Sequence, residues 1–491
     1  MSLPDLIEIV PLTKPVQAQI TVPGSKSITN RALILAALAK GETILQGALW
    51  SEDTQFMVEA LHNLGFKLKV TPDPDEFCNR TITVQGLDGK IPNAGTEAEP
   101  LEIYVGNAGT AARFLSALVC LGQGVYKLYG VPRMHQRPQA ALFKALRELG
   151  YRIDSANDKL PATIFGKESV WRRAIQPLSP KYQDSLTMSS PKSCTISIEE
   201  SSQFASALLL CADAGGWQVK VVGENAEESA YVAMTTKLIE AMPEQGVFEI
   251  EPDASSGSYF AAAKYFIPAL KMFEYSEQFG TEVETEYLNP VTISHWPSSS
   301  WQVDERFPLV LLMNSALGMG LRFEQSNSPP LTASELEEMR KICKAEPISR
   351  VRDLGDSIMT AIILAPFALD SIRFTDLGRL RHQECERVVA LRTELTKCGA
   401  KVIEEGDTLT VFPSKLHGAE IETYHDHRMA MCFAILGLKV PGIKIKNPAC
   451  VKKTFPNFFQ KLAAAPPAGL GATILDAHTQ RPLTGAELFA D

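Results

Sequence analysis

The chain has 491 residues, 45% hydrophobic and 21% charged, which excludes wholesale disorder and a collagen-like fibre. Asp and Glu (57) outnumber Lys and Arg (48), giving a net charge of −9, so a general nucleic-acid or anionic-membrane binder is not expected. An anionic substrate would have to be gathered by a local basic cluster working against the global field.

The opening Met1-Ser2-Leu3-Pro4-Asp5 has no basic or apolar run of the signal-peptide type, and no apolar stretch reaches the ~18 residues of a membrane span. Nine cysteines lie in apolar segments without a CxxC pair, the pattern of reduced, buried thiols. A cytoplasmic protein with no membrane partner is the expectation. His425 and His427 have no Cys or Glu beside them at a metal-ligand spacing, so no metal site is expected.

In chain order, the first β-rich run, Ile20-Thr21-Val22, ends in the turn Pro23-Gly24-Ser25-Lys26-Ser27 before a helical stretch from Arg31 to Ala39. The same arrangement recurs at Ile103-Tyr104-Val105, with the turn Gly106-Asn107-Ala108-Gly109-Thr110 and a helix over 111–121. Further copies open at Ser201-Ser202-Gln203, Asp253-Ala254-Ser255-Ser256, Asp356-Ser357 and Asp426-His427-Arg428. Second helices stop at Leu64-Gly65, Leu149-Gly150 and Cys398-Gly399, where glycine supplies the left-handed residue that ends a helix.

Six such units in 491 residues average ~80 residues each, a β-α-β-α-β-β module. The first helix of each unit is apolar nearly all round and must be buried. The pattern therefore predicts an α/β fold of two domains, three repeats in each, with buried helices surrounded by sheets. The stretches 166–195, 266–300 and 325–350 fit the period poorly and read as insertions. Residues 466–491 read as a linker and a short tail.

A strand-to-helix turn leaves backbone N–H groups and the positive helix end facing outward, which suits an anion. The first turn adds Lys26 and Arg31, but it is no P-loop, because Gln19 stands where the first glycine belongs. Arg133, Arg137, Arg387, Arg428 and Lys453 stand at equivalent turns, so the repeats together predict a cleft for several anionic groups. Asp356 and Glu384 lie among these cations, where a carboxylate stays ionised and can act as a base. The structural alternative for Asp356 is a cap on the helix begun by Ser357-Ile358-Met359.

Seven motifs, in order, resemble the 5-enolpyruvylshikimate-3-phosphate synthase family. They are Pro-Gly-Ser-Lys-Ser-x-x-Asn-Arg (23–31), Gly-Asn-Ala-Gly-Thr-Ala-x-Arg (106–113), Pro-Arg-Met-x-x-Arg-Pro (132–138), Ser-Ser-Gln-Phe (201–204), Asp-Ala-Ser-Ser-x-Ser-Tyr (253–259), Asp-His-Arg-Met-Ala-Met (426–431) and Lys-Thr-Phe-Pro (453–456). The resemblance implies an inside-out α/β barrel of two domains, 22–252 and 1–21 with 253–465, closing on substrate like a clamp. It implies transfer of the enolpyruvyl group of phosphoenolpyruvate to the 5-hydroxyl of shikimate 3-phosphate with release of phosphate, by a monomer without cofactor.

By the same resemblance Lys26, Ser27, Arg31, Ser201, Ser202 and Gln203 would hold shikimate 3-phosphate. Asn107, Gly109, Thr110, Arg137, Arg387, Arg428 and Lys453 would line the phosphoenolpyruvate side, where glyphosate binds in that family. Asp356 would be the general base, Glu384 the proton carrier to the enol carbon, and Lys26 a third catalytic residue.

Five positions depart from the family pattern: Gln383 for Lys, Arg379 for Asn, Phe114 for Pro, Val303 for Gly and Glu228 for Ser. Arg379 is a candidate for the missing cation. The nearest rival, UDP-N-acetylglucosamine enolpyruvyl transferase, would carry Lys-Asn in the first turn and a reactive loop cysteine, where this chain has Lys26-Ser27. A non-catalytic paralogue binding shikimate-like anions is the other reading; Gln383 favours it, while Lys26, Asp356, Glu384, Arg387 and Arg428 oppose it.

Overall fold

The computed structural model describes residues 3–167, 192–223, 229–268, 270–276, 281–287, 291–325 and 332–490. Glu228 and parts of the three poorly fitting stretches lie outside them. The chain forms two compact units, one from Gly24–Glu251 and one from Met1–Pro23 with Pro252–Asp491.

In the unit of Gly24–Glu251, the helices Lys26–Leu38, Gly109–Leu118 and Ser202–Gly215 pack on one another as its centre. Their Ala, Leu and Ile side chains leave no polar face that could meet water, which is why sheets must cover them. In one sheet Leu101–Tyr104 runs parallel to Val125–Tyr129, which pairs antiparallel with Ala162–Phe165, itself antiparallel to Arg152–Asp154. A second sheet repeats this order with Gly246–Glu249, Lys40–Leu49, Asn79–Leu87 and Lys67–Pro72. A parallel pair, Lys192–Ser197 with Trp217–Val222, forms the third.

The other unit is built alike, around the mutually packed helices Ala254–Ala263, Ile358–Leu364 and His427–Gly437. One sheet has the order Ile348–Ser349, Ile372–Thr375, Thr408–Val411, Val402–Glu405, again one parallel pairing followed by two antiparallel ones. Another has Glu420–Ile421, Ile443–Lys446, Leu6–Ile9 and Ile474–Asp476. The segment past 465, read from the sequence as linker and tail, thus supplies an edge strand and buries Leu470, Ile474, Leu483 and Leu488. Ala18–Ile20 runs parallel to Val291–Ile293, and Leu270–Ser276 pairs with Thr281–Tyr287 as a hairpin.

Four buried helices each join two parallel strands of one sheet, the connection such strands require. The remaining two follow the chain crossings between units, and there the strands exchange partners. Ala18–Ile20 precedes the Lys26 helix but pairs with Val291–Ile293, while Gly246–Glu249 precedes the Ala254 helix but pairs with Lys40–Leu49. Among the described residues no helix is long and apolar enough to cross a membrane, and no group of His, Cys, Asp or Glu could hold a metal ion. None of the nine cysteines, all within the described residues, is in a disulfide, and eight of them are buried.

Candidate active site

In the unit of Gly24–Glu251, Lys26, Ser27, Gly109, Thr110, Ser201, Ser202 and Gln203 stand at the starts of the three central helices, Arg31 lies a turn into the first, and Arg133 and Arg137 flank the short turn Met134–Gln136. Gly24 enters the Lys26 helix with no room for a side chain, since a Cβ there would lie 2.0 Å from the Gly47 carbonyl oxygen. Lys26 Nζ is 3.1 Å from Oδ2 of Asp53, a buried carboxylate whose Oδ1 has no partner among the described residues. Arg31 is 1% exposed, and its donors go to Thr235 Oγ1 (2.8 Å), the Ser27 carbonyl (2.9 Å) and Ser206 Oγ (3.0 Å). Burial brings its pKa down to about 10. The guanidinium lies 5.2 Å from the centre of the Phe114 ring, a cation–π contact. Arg31 braces the Ser27 turn from inside the core.

Asn30 Nδ2 donates to Thr110 Oγ1 (2.8 Å), tying the first helix to the second. At Gly109 a Cβ would meet Arg137 Nη2 at 2.6 Å and Arg113 Nη1 at 2.8 Å, so both guanidiniums press on the bare backbone. Arg113 donates to the Gly109 and Pro138 carbonyls (3.1 and 3.0 Å), and Arg137 donates to the Asn107 carbonyl (3.0 Å) with its buried Nε unpartnered among the described residues. At the third helix Ser201 is the N-cap, its Oγ accepting from the Gln203 amide (3.2 Å), and Ser202 is buried.

In the second unit Asp356, Glu384, Arg387, Arg428 and Lys453 form one cluster. Asp356 Oδ2 is 3.2 Å from Arg428 Nε and 3.7 Å from Arg387 Nη1, and its Oδ1 accepts from Arg350 Nη2 at 2.7 Å. Burial disfavours the Asp356 charge, but the guanidiniums of Arg428, Arg350 and Arg387 outweigh it and hold the carboxyl well below the usual carboxylate range. Glu384 accepts from Arg387 Nη2 (2.8 Å) and Lys453 Nζ (2.9 Å). Asp426, fully buried, accepts from Arg387 Nε (2.7 Å) and from the Arg428 amide (2.9 Å), so one carboxylate caps the His427 helix and anchors a cation. Arg387 also donates to the Gln383 amide oxygen.

Asp356 is not a helix cap: Ser357 occupies that position. Its turn is held instead by Asp304, which takes the Gly355 and Ser357 amides on Oδ1 (3.1 and 2.8 Å) and Ser255 Oγ on Oδ2 (2.8 Å). Asp304, Asp53 and Arg350 were not singled out from the sequence. Asp304 follows Val303 in the short 3₁₀ turn Val303–Arg306, and Arg350 ends the stretch 325–350 that fits the repeat poorly. In this cluster four cations share three carboxylates, an arrangement suited to an anion with more than one charged group.

The family model described as EPSP synthase (3-phosphoshikimate 1-carboxyvinyltransferase) matches residues 10–269 and 290–462. The 3-phosphoshikimate 1-carboxyvinyltransferase of Trichormus variabilis is 33% identical over 486 residues, 93% of this chain and 98% of that protein. The enzyme of that name from Nostoc punctiforme is 32% identical over 482 residues, with the same coverage of each chain. Among solved structures, EPSP synthase from Acinetobacter baumannii aligns with a TM-score of 0.60 at 19% identity, over 96% of this chain and 99% of that one. The enolpyruvyl transferase NikO from Streptomyces tendae gives 0.57 at 13% identity, over 98% and 99%. At those identities the two structures speak for the two-domain α/β fold alone. With most of its length matched by one family model and by relatives of one name, the chain belongs to the EPSP synthase (3-phosphoshikimate 1-carboxyvinyltransferase) family.

Proposed function

We propose that the protein transfers the enolpyruvyl group of phosphoenolpyruvate to the 5-hydroxyl of shikimate 3-phosphate and releases phosphate. The observation that carries this reading is the Asp356–Glu384 cluster, in which two carboxylates fit for proton transfer are held by Arg387, Arg428 and Lys453. Asp356 accepts the hydroxyl proton as the acceptor oxygen bonds to C2 of phosphoenolpyruvate. Glu384 delivers a proton to C3, giving a tetrahedral phospho-ketal. Loss of a C3 proton and of the phosphate then restores the double bond. Lys26, Arg137, Arg387, Arg428 and Lys453 bind the anionic groups and stabilise charge on the leaving phosphate.

Ser27, Ser201, Ser202 and Gln203 hold the acceptor, with Arg31 as the brace behind Ser27. Asn107, Gly109 and Thr110 form the turn beside Arg137. Chain organisation belongs to the same reading: six β-α-β-α-β-β repeats, three per domain in an inside-out barrel, with boundaries near 22 and 252. The four sheets of identical strand pattern and the two trios of packed helices support it. We further infer a cytoplasmic monomer needing neither metal nor organic cofactor.

The test is phosphate release from phosphoenolpyruvate with shikimate 3-phosphate or UDP-N-acetylglucosamine as acceptor. Release with shikimate 3-phosphate alone is expected. Release with the sugar nucleotide alone, or with neither, overturns the assignment.

A further inference from the structure

Arg350 differs from the other cations around Asp356 in how it is held. Its backbone is fixed by the end of the Ile348–Ser349 strand, where the Arg350 amide donates to the Thr375 carbonyl (3.1 Å). Its side chain is 5% exposed, Nη2 holds Asp356 Oδ1, and Nε is buried without a partner among the described residues. Arg387 and Arg428 approach the other oxygen, Oδ2, and both are needed for anionic substrate in the reading above. The cation expected at 383 is absent, and the Gln383 amide instead accepts from Arg387.

We propose that Arg350 is the positioning residue of Asp356: it keeps hold of Oδ1 while Arg387 and Arg428 serve the substrate's anionic groups. The proposal rests on the enolpyruvyl-transfer reading and adds to it a residue outside the motifs that carried the resemblance. The charged and titratable groups around Asp356 come from several elements. Arg350 follows a strand, Glu384 and Arg387 belong to the turn opening the Arg387–Lys397 helix, and Asp426 and Arg428 open the His427 helix. Asp304 lies behind Gly355, and the Tyr259 hydroxyl and Asp253 face Arg428 from the Ala254 helix. Among the described residues, Arg350 is the one guanidinium with Asp356 as its single side-chain partner, since Arg428 also donates to the Tyr259 hydroxyl and Arg387 also holds Glu384 and Asp426. Once the two substrate-facing guanidiniums are engaged, it alone keeps the carboxylate charged and aimed.

Two measurements test this. In Arg350→Gln the acidic limb of the kcat–pH profile is expected to move up by about 1–3 pH units, the effect of losing one adjacent opposite charge. The KM for phosphoenolpyruvate should change by less than about threefold, and Arg350→Lys should return the limb towards wild type. An unmoved limb in Arg350→Gln, or one that lysine does not restore, overturns the proposal. The second readout needs no turnover: calorimetry of phosphoenolpyruvate binding in buffers of different ionisation enthalpy, at mildly acidic pH. Arg350→Gln should take up more protons per ligand bound than wild type, and equal uptake overturns the proposal. A wild type that releases no phosphate but shows this difference would refute the enolpyruvyl-transfer reading and leave the role of Arg350 standing.

Discussion

Asp356 couples the second unit to pH. Its folded pKa lies below its ordinary value of 3.8, so its share of stability is complete above that value and drains away as pH falls through the folded pKa. Asp356→Asn should therefore flatten the fall in melting temperature below about pH 4. The same change leaves Arg350, Arg387 and Arg428 crowded without their shared anion. Breaking a buried pair from one side costs ~3–5 kcal/mol, well above the ~1 kcal/mol of a lost cap. Melting scans with and without inorganic phosphate check this, since an added anion should recover part of the loss. Turnover of the variant should drop by ~10²–10⁴-fold, the usual worth of a general base.

Gly109 makes a second residue-scale prediction. In Gly109→Ala the methyl occupies the space of the Arg137 and Arg113 guanidiniums and must displace them. A charged hydrogen bond is worth ~1.5–3 kcal/mol, so phosphoenolpyruvate should bind roughly ten- to hundredfold more weakly. The glyphosate inhibition constant should rise further than the KM for phosphoenolpyruvate, because the inhibitor is the longer molecule. Phe114→Pro tests a separate matter, since that ring packs against Arg31. Steady-state inhibition kinetics on the two variants measure both effects.

At the scale of elements, the turn Gly355-Asp356-Ser357 depends on Asp304 rather than on its own sequence. Asp304→Ala would strip the acceptor from two buried amides, at ~1–3 kcal/mol each, and free the carboxylate of Asp356 to swing. A lower melting temperature with kcat reduced more than KM is the expected result. Helix starts and stops were legible because their chemistry is local. The turns at 24–27, 106–110, 201–203, 253–256, 356–357 and 426–428 lead into helices beginning at Lys26, Gly109, Ser202, Ala254, Ile358 and His427. The stops at Gly65, Gly150 and Gly399 have φ of +92°, +88° and +94°, a region that side chains resist. Arg350 and Asp304 escaped notice for the opposite reason. Each acts through space on a turn that belongs to another segment, and periodicity along the chain carries no trace of that. The strand exchange was hidden likewise, since a strand's sequence says which face it buries but not which neighbour it takes.

For the whole molecule, the informative feature is that the unit of Gly24–Glu251 is inserted into the other one. The crossings lie side by side: the Ser25 amide donates to the Glu251 carbonyl (2.9 Å) within one unit, and the Asp253 amide to the Pro23 carbonyl (2.9 Å) within the other. Both ends of the chain meet in one sheet, where Leu6–Ile9 lies between Ile443–Lys446 and Ile474–Asp476. Deleting residues 466–491 should therefore be felt first at the opposite end of the sequence. Each buried Leu or Ile of the tail is worth ~1.5–3 kcal/mol. Hydrogen exchange followed by mass spectrometry should show Leu6–Ile9 losing protection before any strand of the unit of Gly24–Glu251.

That nesting also sets a timetable on the ribosome. Leu6–Ile9 is made early, yet its inner neighbour is complete only when Lys446 emerges, about 20–90 s later at ~5–20 residues per second. Ala18–Ile20 waits about 14–55 s for Val291–Ile293, and by the end of that wait everything needed for the unit of Gly24–Glu251 has been made. The nascent chain thus carries an unpaired apolar strand ahead of a finished unit, exposed to mispairing until Lys446 has been made. A chaperone that binds short apolar segments would find its target in that strand, and slowing translation would lengthen the exposure rather than relieve it.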